Sequence, residues 1–393
     1  MSFPRLTLKP TRERSLLNKH PWVFSGGILK MPTIENGSIV EVVDAKSNIL
    51  GYGFFSDKSQ ITCRLFHFGK LNEGQHFDDA YWFHFFDNAY KRRKAIIDFE
   101  TTNCYRLFHA EGDFLPGLVV DIYDQVAVVQ VLIKGIEILK DTIVQSLKQL
   151  GFEHVYLKNK TGSQNAEQIT SVSGWLTAPF ASSIVAKENN VKFTIDIENG
   201  QKTGFFIDQR DNRAELGKLA KGKRILNCFS YSGGFSMYGL LHGATEVHSV
   251  DISAQAAQEC NDNATLNGVA DNHQAFAEDC FEYLRHKAEG YDMIVLDPPA
   301  FAKNIRSVPN ACKGYKDINL LAFKNVNKGG FVFTYSCSQH ISRDLFQKII
   351  FGAALDAGRN VQIIKHLNQS SDHPISIFHP EGDYLKGLLL YVE

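Results

Sequence analysis

The sequence predicts an α/β protein. A C-terminal, doubly wound, Rossmann-like domain over residues 191–393 follows a small β-barrel-like domain over 1–72 and an α+β domain over 73–190. Three observations carry this. The chain has 393 residues, which as a soft prior means two or three domains. From about residue 191 onward, strand and helix signals alternate, the pattern of a mostly parallel sheet covered on both faces. Before residue 73, by contrast, short β-rich runs and turn signals dominate and long helical patterns are few.

The elements follow in order. "SIVEVVDAKSNILGYGFFS" holds two β-rich runs joined by a polar Asp-Ala-Lys-Ser-Asn turn, and "QITCRLFHFG" alternates as a further strand. "FDDAYWFHFFDNAYKRRKAIID" has the period of a long amphipathic helix with a basic end, Lys91 to Lys94. "GDFLPGLVVDIYDQVAVVQVL" predicts a hairpin around Tyr123-Asp124, and "GIEILKDTIVQSLKQLG" one helix stopped by Gly151. In the last region "KRILNCF", "EVHSVD", "HQAFAED", "YDMIVLD" and "GGFVFTYS" read as strands. Between them, "SAQAAQECNDNATLNG" is a helix with Ser253 as N-cap and Gly268 past its end, and Ser342 caps "SRDLFQKIIFGAALDAG".

Composition narrows the classes. Lys and Arg total 42 against 43 Asp and Glu, so a nucleic-acid partner must be met by local patches rather than bulk charge. Lys91 to Lys94 with Arg12, Arg14 and Lys19 are the candidates, and their plain alternative is a solvated helix end and a tail. The 7 cysteines are scattered with no C-x-x-C pair, so neither a zinc site nor a disulfide framework is indicated, and reduced thiols in a cytoplasm fit best. No apolar stretch has membrane-spanning length, so the expectation is a cytoplasmic protein with no membrane partner.

In a doubly wound sheet, ligands bind at the carboxyl ends of the strands. There the chain places Asn227-Cys228-Phe229-Ser230-Tyr231-Ser232-Gly233-Gly234, then Asp251, Asp279, Asp297-Pro298-Pro299-Ala300-Phe301 and finally Ser336-Cys337-Ser338. A glycine turn followed by a ribose-binding acid fits a nicotinamide dinucleotide or S-adenosylmethionine. The G-x-G-x-x-G spacing that seats a pyrophosphate is absent, which favours S-adenosylmethionine. Two prolines after Asp297 lock the backbone into a turn able to grip a planar base edge. Cys337 adds the element that methylation at C5 of a pyrimidine needs. That carbon becomes nucleophilic only after attack at C6, and a thiolate is a soft attacker and a good leaving group. The plain alternatives are a helix N-cap for each acid, a rigid loop for the prolines and a small filler residue for Cys337.

"NGQKTGFFIDQRDNR", "RILNCFSYSGGFS", "DPPAF", "FTYSCS", "SRDLFQKIIFGAALDAGR" and "DHPISIFHPEGDYLKG", with "ERSLLNKHPWVFSGGI" near the N-terminus, together resemble the ribosomal large-subunit (23S) RNA cytosine-C5 methyltransferases. The resemblance spans almost the whole chain. It implies an N-terminal PUA domain, a central α+β domain and a class I S-adenosylmethionine-dependent methyltransferase domain. It implies Cys337 as nucleophile and Asp297 as base-pocket acid. Thr203, Phe206, Gln209, Asn227, Phe229, Tyr231, Gly233, Asp251 and Asp279 are the implied cofactor residues, and Pro298, Pro299 and Phe301 line the substrate pocket. The implied partner is protein-poor 23S ribosomal RNA, and a homodimer is compatible with it. Two positions depart from the pattern: Asn227 opens the glycine turn where many methyltransferases have an acid, and Ala300 stands where a Lys is frequent.

Three other readings are weighed. An exocyclic-amine methyltransferase would use the Asp297-Pro298-Pro299 pocket but has no use for Cys337. A non-catalytic RNA-binding protein with a relic cofactor domain would not bind S-adenosylmethionine. An NAD-dependent oxidoreductase would bind NAD instead. The residue that removes the C5 proton is not identifiable from the sequence; Glu381, Asp383 and Lys386 lie close enough along the chain to consider, against the plainer reading of a solvated turn.

Overall fold

The computed structural model describes residues 3–159 and 167–393. By its internal contacts the chain divides into two compact units. The first comprises Met1–Ala186, Ile195–Ile207 and Ser371–Gly382; the second comprises Lys187–Thr194, Asp208–Ser370 and Asp383–Glu393.

The first unit contains two sheets. Six strands run in the order Trp22–Phe24, Ile61–Phe68, Ile49–Phe55, Ile39–Val43, Arg5–Leu8 and Ile28–Lys30. Their period-2 alternation sends Leu6, Leu8, Val40, Val42 and Leu65 into one small core. Five further strands include the hairpin Leu118–Tyr123 with Val126–Val131, closed by Tyr123 opposite Val126. The long helix Asp79–Ile96 begins where the Asp78 side chain accepts the Tyr81 amide. Phe54 and Phe66 of the first sheet share a core with Trp82 and Phe86 of that helix and Leu107 and Val129 of the second sheet. One expectation is corrected: "GIEILKDTIVQSLKQLG" folds as two helices, Lys134–Ile138 and Lys140–Gln149, broken at Leu139.

The basic run at the end of the long helix is corrected at one residue: Lys91 and Lys94 are exposed and Arg92 half-exposed, but Arg93 is internal. Lys91 pairs with Asp87 at 2.7 Å, and Lys94 lies over the Tyr90 ring. Arg93 is 1% exposed and meets Asp113 through two bonds of 2.7 and 2.6 Å. It also donates to the carbonyls of Arg106 and Asp372. A buried guanidinium survives only when its donors are matched in this way. Arg93→Ala leaves the Asp113 carboxylate buried beside only the half-exposed Arg92. It should lower unfolding stability by about 3–5 kcal/mol, measured as a fall in the urea midpoint; an unchanged midpoint refutes this role.

The second unit is the doubly wound sheet. Its strands are β1 (Arg224–Cys228), β2 (Glu246–Asp251), β3 (His273–Ala277), β4 (Tyr291–Leu296), β5 (Val326–Ser336), β6 (Val361–Leu367) and β7 (Lys386–Val392). They lie in the order β3-β2-β1-β4-β5-β7-β6. β1 to β5 are parallel, and β7 enters antiparallel between β5 and β6. The strand order reverses between β1 and β4, so the loops after these two strands diverge and leave a crevice at their carboxyl ends. The runs Met293–Leu296 of β4 and Phe331–Phe333 of β5 are apolar because both faces are covered. Among the described residues, no helix is long and apolar enough to cross a membrane.

Candidate active site

Every strand end singled out in the sequence lies on the carboxyl edge of this sheet. Cys228 pairs with Val250 of β2 and with Leu296 of β4, so the turn after β1, Asp251 and Asp297 leave neighbouring strands at one level. Leu296 pairs with Thr334 of β5, so Asp297 and Tyr335 follow side by side and Cys337 comes two residues later. Asp297 and burial together push the Tyr335 hydroxyl far above its ordinary range, burial being the larger cause.

The turn after β1 is unusual in its backbone. Phe229 (φ 58), Tyr231 (φ 46) and Gly233 (φ 81) are all left-handed. Only the glycine does this without steric cost, and strain of this kind collects at ligand-holding turns. A Cβ on Gly233 would lie 3.2 Å from Cys260 Sγ, a tight fit, and the left-handed φ favours glycine there. The turn is braced from outside: Asp251 Oδ2 accepts the Tyr231 amide and its Oδ1 accepts the Ser253 amide, both at 3.0 Å. Cys260 Sγ donates to the Tyr231 carbonyl at 2.9 Å, and Asn263 Nδ2 donates to the Ser232 carbonyl. Inside the turn, Asn227 Nδ2 donates to Ser236 Oγ, while Asn227 Oδ1 and Ser232 Oγ are buried without a protein partner. Buried polar atoms in this state are met by ordered water or a bound group. Oδ1 is an acceptor suited to an ammonium group, and Asp251 keeps lone pairs for hydroxyls, which fits an amino-acid nucleoside such as S-adenosylmethionine. Asp279 is exposed and serves as N-cap of the helix Cys280–His286, accepting the amides of Phe281 and Glu282.

The loop after β4 is tied to the end of β5. Ala302 donates its amide to Ser338 Oγ at 3.1 Å, and the same oxygen lies 2.9 Å from the Tyr315 hydroxyl. Ser336 Oγ donates to that hydroxyl at 3.0 Å. The Phe301 ring packs on Tyr315 with centroids 4.6 Å apart. The two serines flanking Cys337 thus hold the Asp297-Pro298-Pro299-Ala300-Phe301 segment against the strand that ends in the cysteine. Pro298 is buried and Pro299 exposed. Cys337 and Cys312 are partly exposed; the other five cysteines are buried. Cys312 lies within the helix Val308–Asn325, and burial drives the thiol of Cys228 far above its ordinary range.

A PUA-like domain model matches residues 6–68, and an S-adenosylmethionine-dependent methyltransferase model matches residues 105–346. A ribosomal RNA large subunit methyltransferase I from Shewanella denitrificans is 42% identical over 396 residues, covering 99% of each chain. The same-named protein of Aeromonas salmonicida is 42% identical over 386 residues, covering 96% of this chain and 97% of that one. The chain belongs to the ribosomal RNA large subunit methyltransferase I family. Its cofactor is S-adenosylmethionine. Among solved structures, SMU.776, assigned as a methyltransferase and complexed with SAH, superposes with a TM-score of 0.84 at 23% identity over 99% of this chain and 100% of that one. A chain from Streptococcus mutans gives 0.83 at 22% identity, with the same coverage. These likenesses carry the fold, α/β with a Rossmann-like methyltransferase domain.

Within this family member, the remaining residues expected from the sequence fall as follows. Thr203 and Phe206 belong to the first compact unit and Gln209 to the second. The Thr203 hydroxyl is fully buried and donates to Asp121 at 2.5 Å, with the Tyr123 hydroxyl 2.9 Å away. Phe206 carries the Lys202 ammonium over its ring, and Gln209 Oε1 accepts from Asn212. Arg12, Arg14 and Lys19 remain exposed.

The three C-terminal candidates for the missing base separate. Glu381 Oε2 lies 3.4 Å from His20 Nε2 and 3.7 Å from His379 Nε2. His20 Nδ1 accepts the Trp22 amide, which puts the neutral ring's proton on Nε2, facing Glu381; this is a proton-sharing cluster rather than a ready metal site. Asp383 is bound bidentately by Arg343. Lys386 is buried, contrary to the solvated-turn reading. The only signal that could have marked it is a lysine opening the otherwise apolar run "KGLLLYV".

Proposed function

We propose that the protein methylates C5 of a cytosine in large-subunit ribosomal RNA through a covalent bond between Cys337 and C6. Relatives named as ribosomal RNA large subunit methyltransferase I, 42% identical over nearly the full length, support the substrate class. The observation that carries the chemistry is the placement of Cys337. It is the one cysteine that is both partly exposed and at a carboxyl strand end, among the described residues, and its flanking serine holds the Asp-Pro-Pro loop.

The steps assign roles to this chain's own groups. The Cys337 thiolate adds to C6, forming the S–C bond and moving the C5=C6 electron pair towards C5. Asp297, fixed in the rigid loop, meets the N3/N4 edge of the base and stabilises the charge that develops there. Bound S-adenosylmethionine supplies an electrophilic methyl group. Loss of the C5 proton then restores the C5=C6 bond and expels Cys337 as thiolate. Phe301, packed on Tyr315, closes one side of the pocket and excludes water.

Bisulfite sequencing of large-subunit ribosomal RNA from cells with and without the protein tests this. One protected cytosine should become reactive when the protein is absent. An unchanged protection map, with a methyl group lost instead from an exocyclic amine, would favour the other pocket chemistry.

A further inference from the structure

Lys386 is 4% exposed. Its Nζ donates to the carbonyls of Ser338 at 2.8 Å and Tyr384 at 2.7 Å. Neither acceptor is charged. Among the described residues no carboxylate stands within ion-pair distance of this ammonium. Asp383, the nearest in sequence, is already committed to both arms of Arg343 at 2.6 and 2.9 Å. A buried ammonium without an anion is costly, so either it loses its proton or an anion forms beside it.

The register shows which anion. Lys386 pairs with Ser336 across the β5–β7 ladder, and its Nζ reaches the carbonyl of Ser338. Cys337 lies between those two residues. The titratable and charged groups that face Lys386 are Cys337, Asp383 and Arg343. Of these, Asp383 is held by both arms of Arg343, and Cys337 is the other group that can gain a negative charge. Burial is the larger influence on Lys386 and draws its ammonium down to about 8, while Cys337 and Asp383 oppose that fall. The lysine therefore still carries its proton at neutral pH.

We propose that the Cys337 thiolate is the counter-ion of the buried Lys386 ammonium, which makes Lys386 the positioning residue that keeps the attacking sulfur deprotonated. Two of the three N–H bonds are anchored to backbone carbonyls, so the charge sits at a fixed point on the β7 strand. An opposite charge close to a thiol favours its ionised form. The ammonium keeps its proton throughout, and the thiolate returns beside it when the sulfur leaves C6. The inference rests on the C5 reading for its purpose but not for its test.

The test is the pH profile of alkylation of Cys337 by iodoacetamide, read at the Cys337 peptide by mass spectrometry. Lys386→Met should raise the inflection by about one unit or more, a roughly tenfold slower reaction at pH 7. Lys386→Arg, which keeps the charge, should retain the low inflection. Calorimetric binding of S-adenosylhomocysteine reports that each variant is folded. In parallel, NMR titration of lysine Cε in Cys337→Ala, a change that removes the anion and leaves the lysine, should show the Lys386 inflection falling further. An alkylation profile unmoved by Lys386→Met in protein that still binds S-adenosylhomocysteine overturns the proposal. So does a Lys386 inflection that is the same with and without the cysteine. Either failure leaves the C5 reading standing; conversely, methylation retained by Cys337→Ala would remove the C5 reading and leave the ion pair.

Discussion

Cys337→Ala protein is expected to fold, to bind S-adenosylhomocysteine as the parent does, and to transfer no methyl group to its RNA. Removal of a covalent nucleophile typically costs between about 10^3- and 10^6-fold in turnover. The substitution removes one sulfur from a partly exposed position, and Lys386, left without that anion, sheds its proton rather than stay buried as an unpaired ammonium, so the fold is retained. The glycine turn after β1 keeps its braces, Asp251, Cys260 and Asn263. RNA carrying 5-fluorocytosine gives the complementary readout. Fluorine cannot leave C5 as a cation, so the adduct persists and migrates as a cross-linked band with the parent protein and not with the variant. An exocyclic-amine enzyme would keep its turnover in Cys337→Ala and would form no band, and that pair of results would end the C5 assignment.

The second large effect is on cofactor affinity. Asp251→Ala should weaken S-adenosylhomocysteine binding by about 2–3 kcal/mol, roughly 30- to 150-fold, measured by calorimetry. Two losses combine. The carboxylate is the acceptor for the Tyr231 and Ser253 amides, and in the proposed reading it also accepts the ribose hydroxyls. Without it the left-handed Phe229 and Tyr231 lose one of the bonds that hold them in a disfavoured conformation. Asp251→Asn retains one acceptor oxygen and should fall between the two. An affinity unaffected by Asp251→Ala would mean that the ribose is held elsewhere.

Much of this was legible because strand–helix alternation fixes a parallel sheet, and a parallel sheet fixes where ligands go. The ends of β1, β2, β4 and β5 could be named from runs such as "KRILNCF" and "YDMIVLD" before any coordinates. The rest depended on contacts between residues far apart in the chain. Lys91 to Lys94 reads as a solvated basic end, yet Arg93 is internal because Asp113 and the Asp372 carbonyl close around it. Lys386 reads as solvated until β7 is seen to lie between β5 and β6. The left-handed conformations of Phe229 and Tyr231 carry no sequence signal, since neither residue type favours them. A single helix was expected where Leu139 interrupts two, because the apolar period continues across the break.

The segment Ser371–Gly382 belongs to the first compact unit although it stands near the end of the chain. Its Asp372 accepts the Arg106 amide, and the Asp372 carbonyl takes a bond from Arg93. During synthesis these bonds stay unmade until residue 372 has left the ribosome. The first compact unit must therefore wait, with the Arg93 guanidinium incompletely matched, for a strap made only after the Asp208–Ser370 segment. A nascent chain truncated before residue 371 would lack that strap, so completion of the first unit is coupled to synthesis of most of the second.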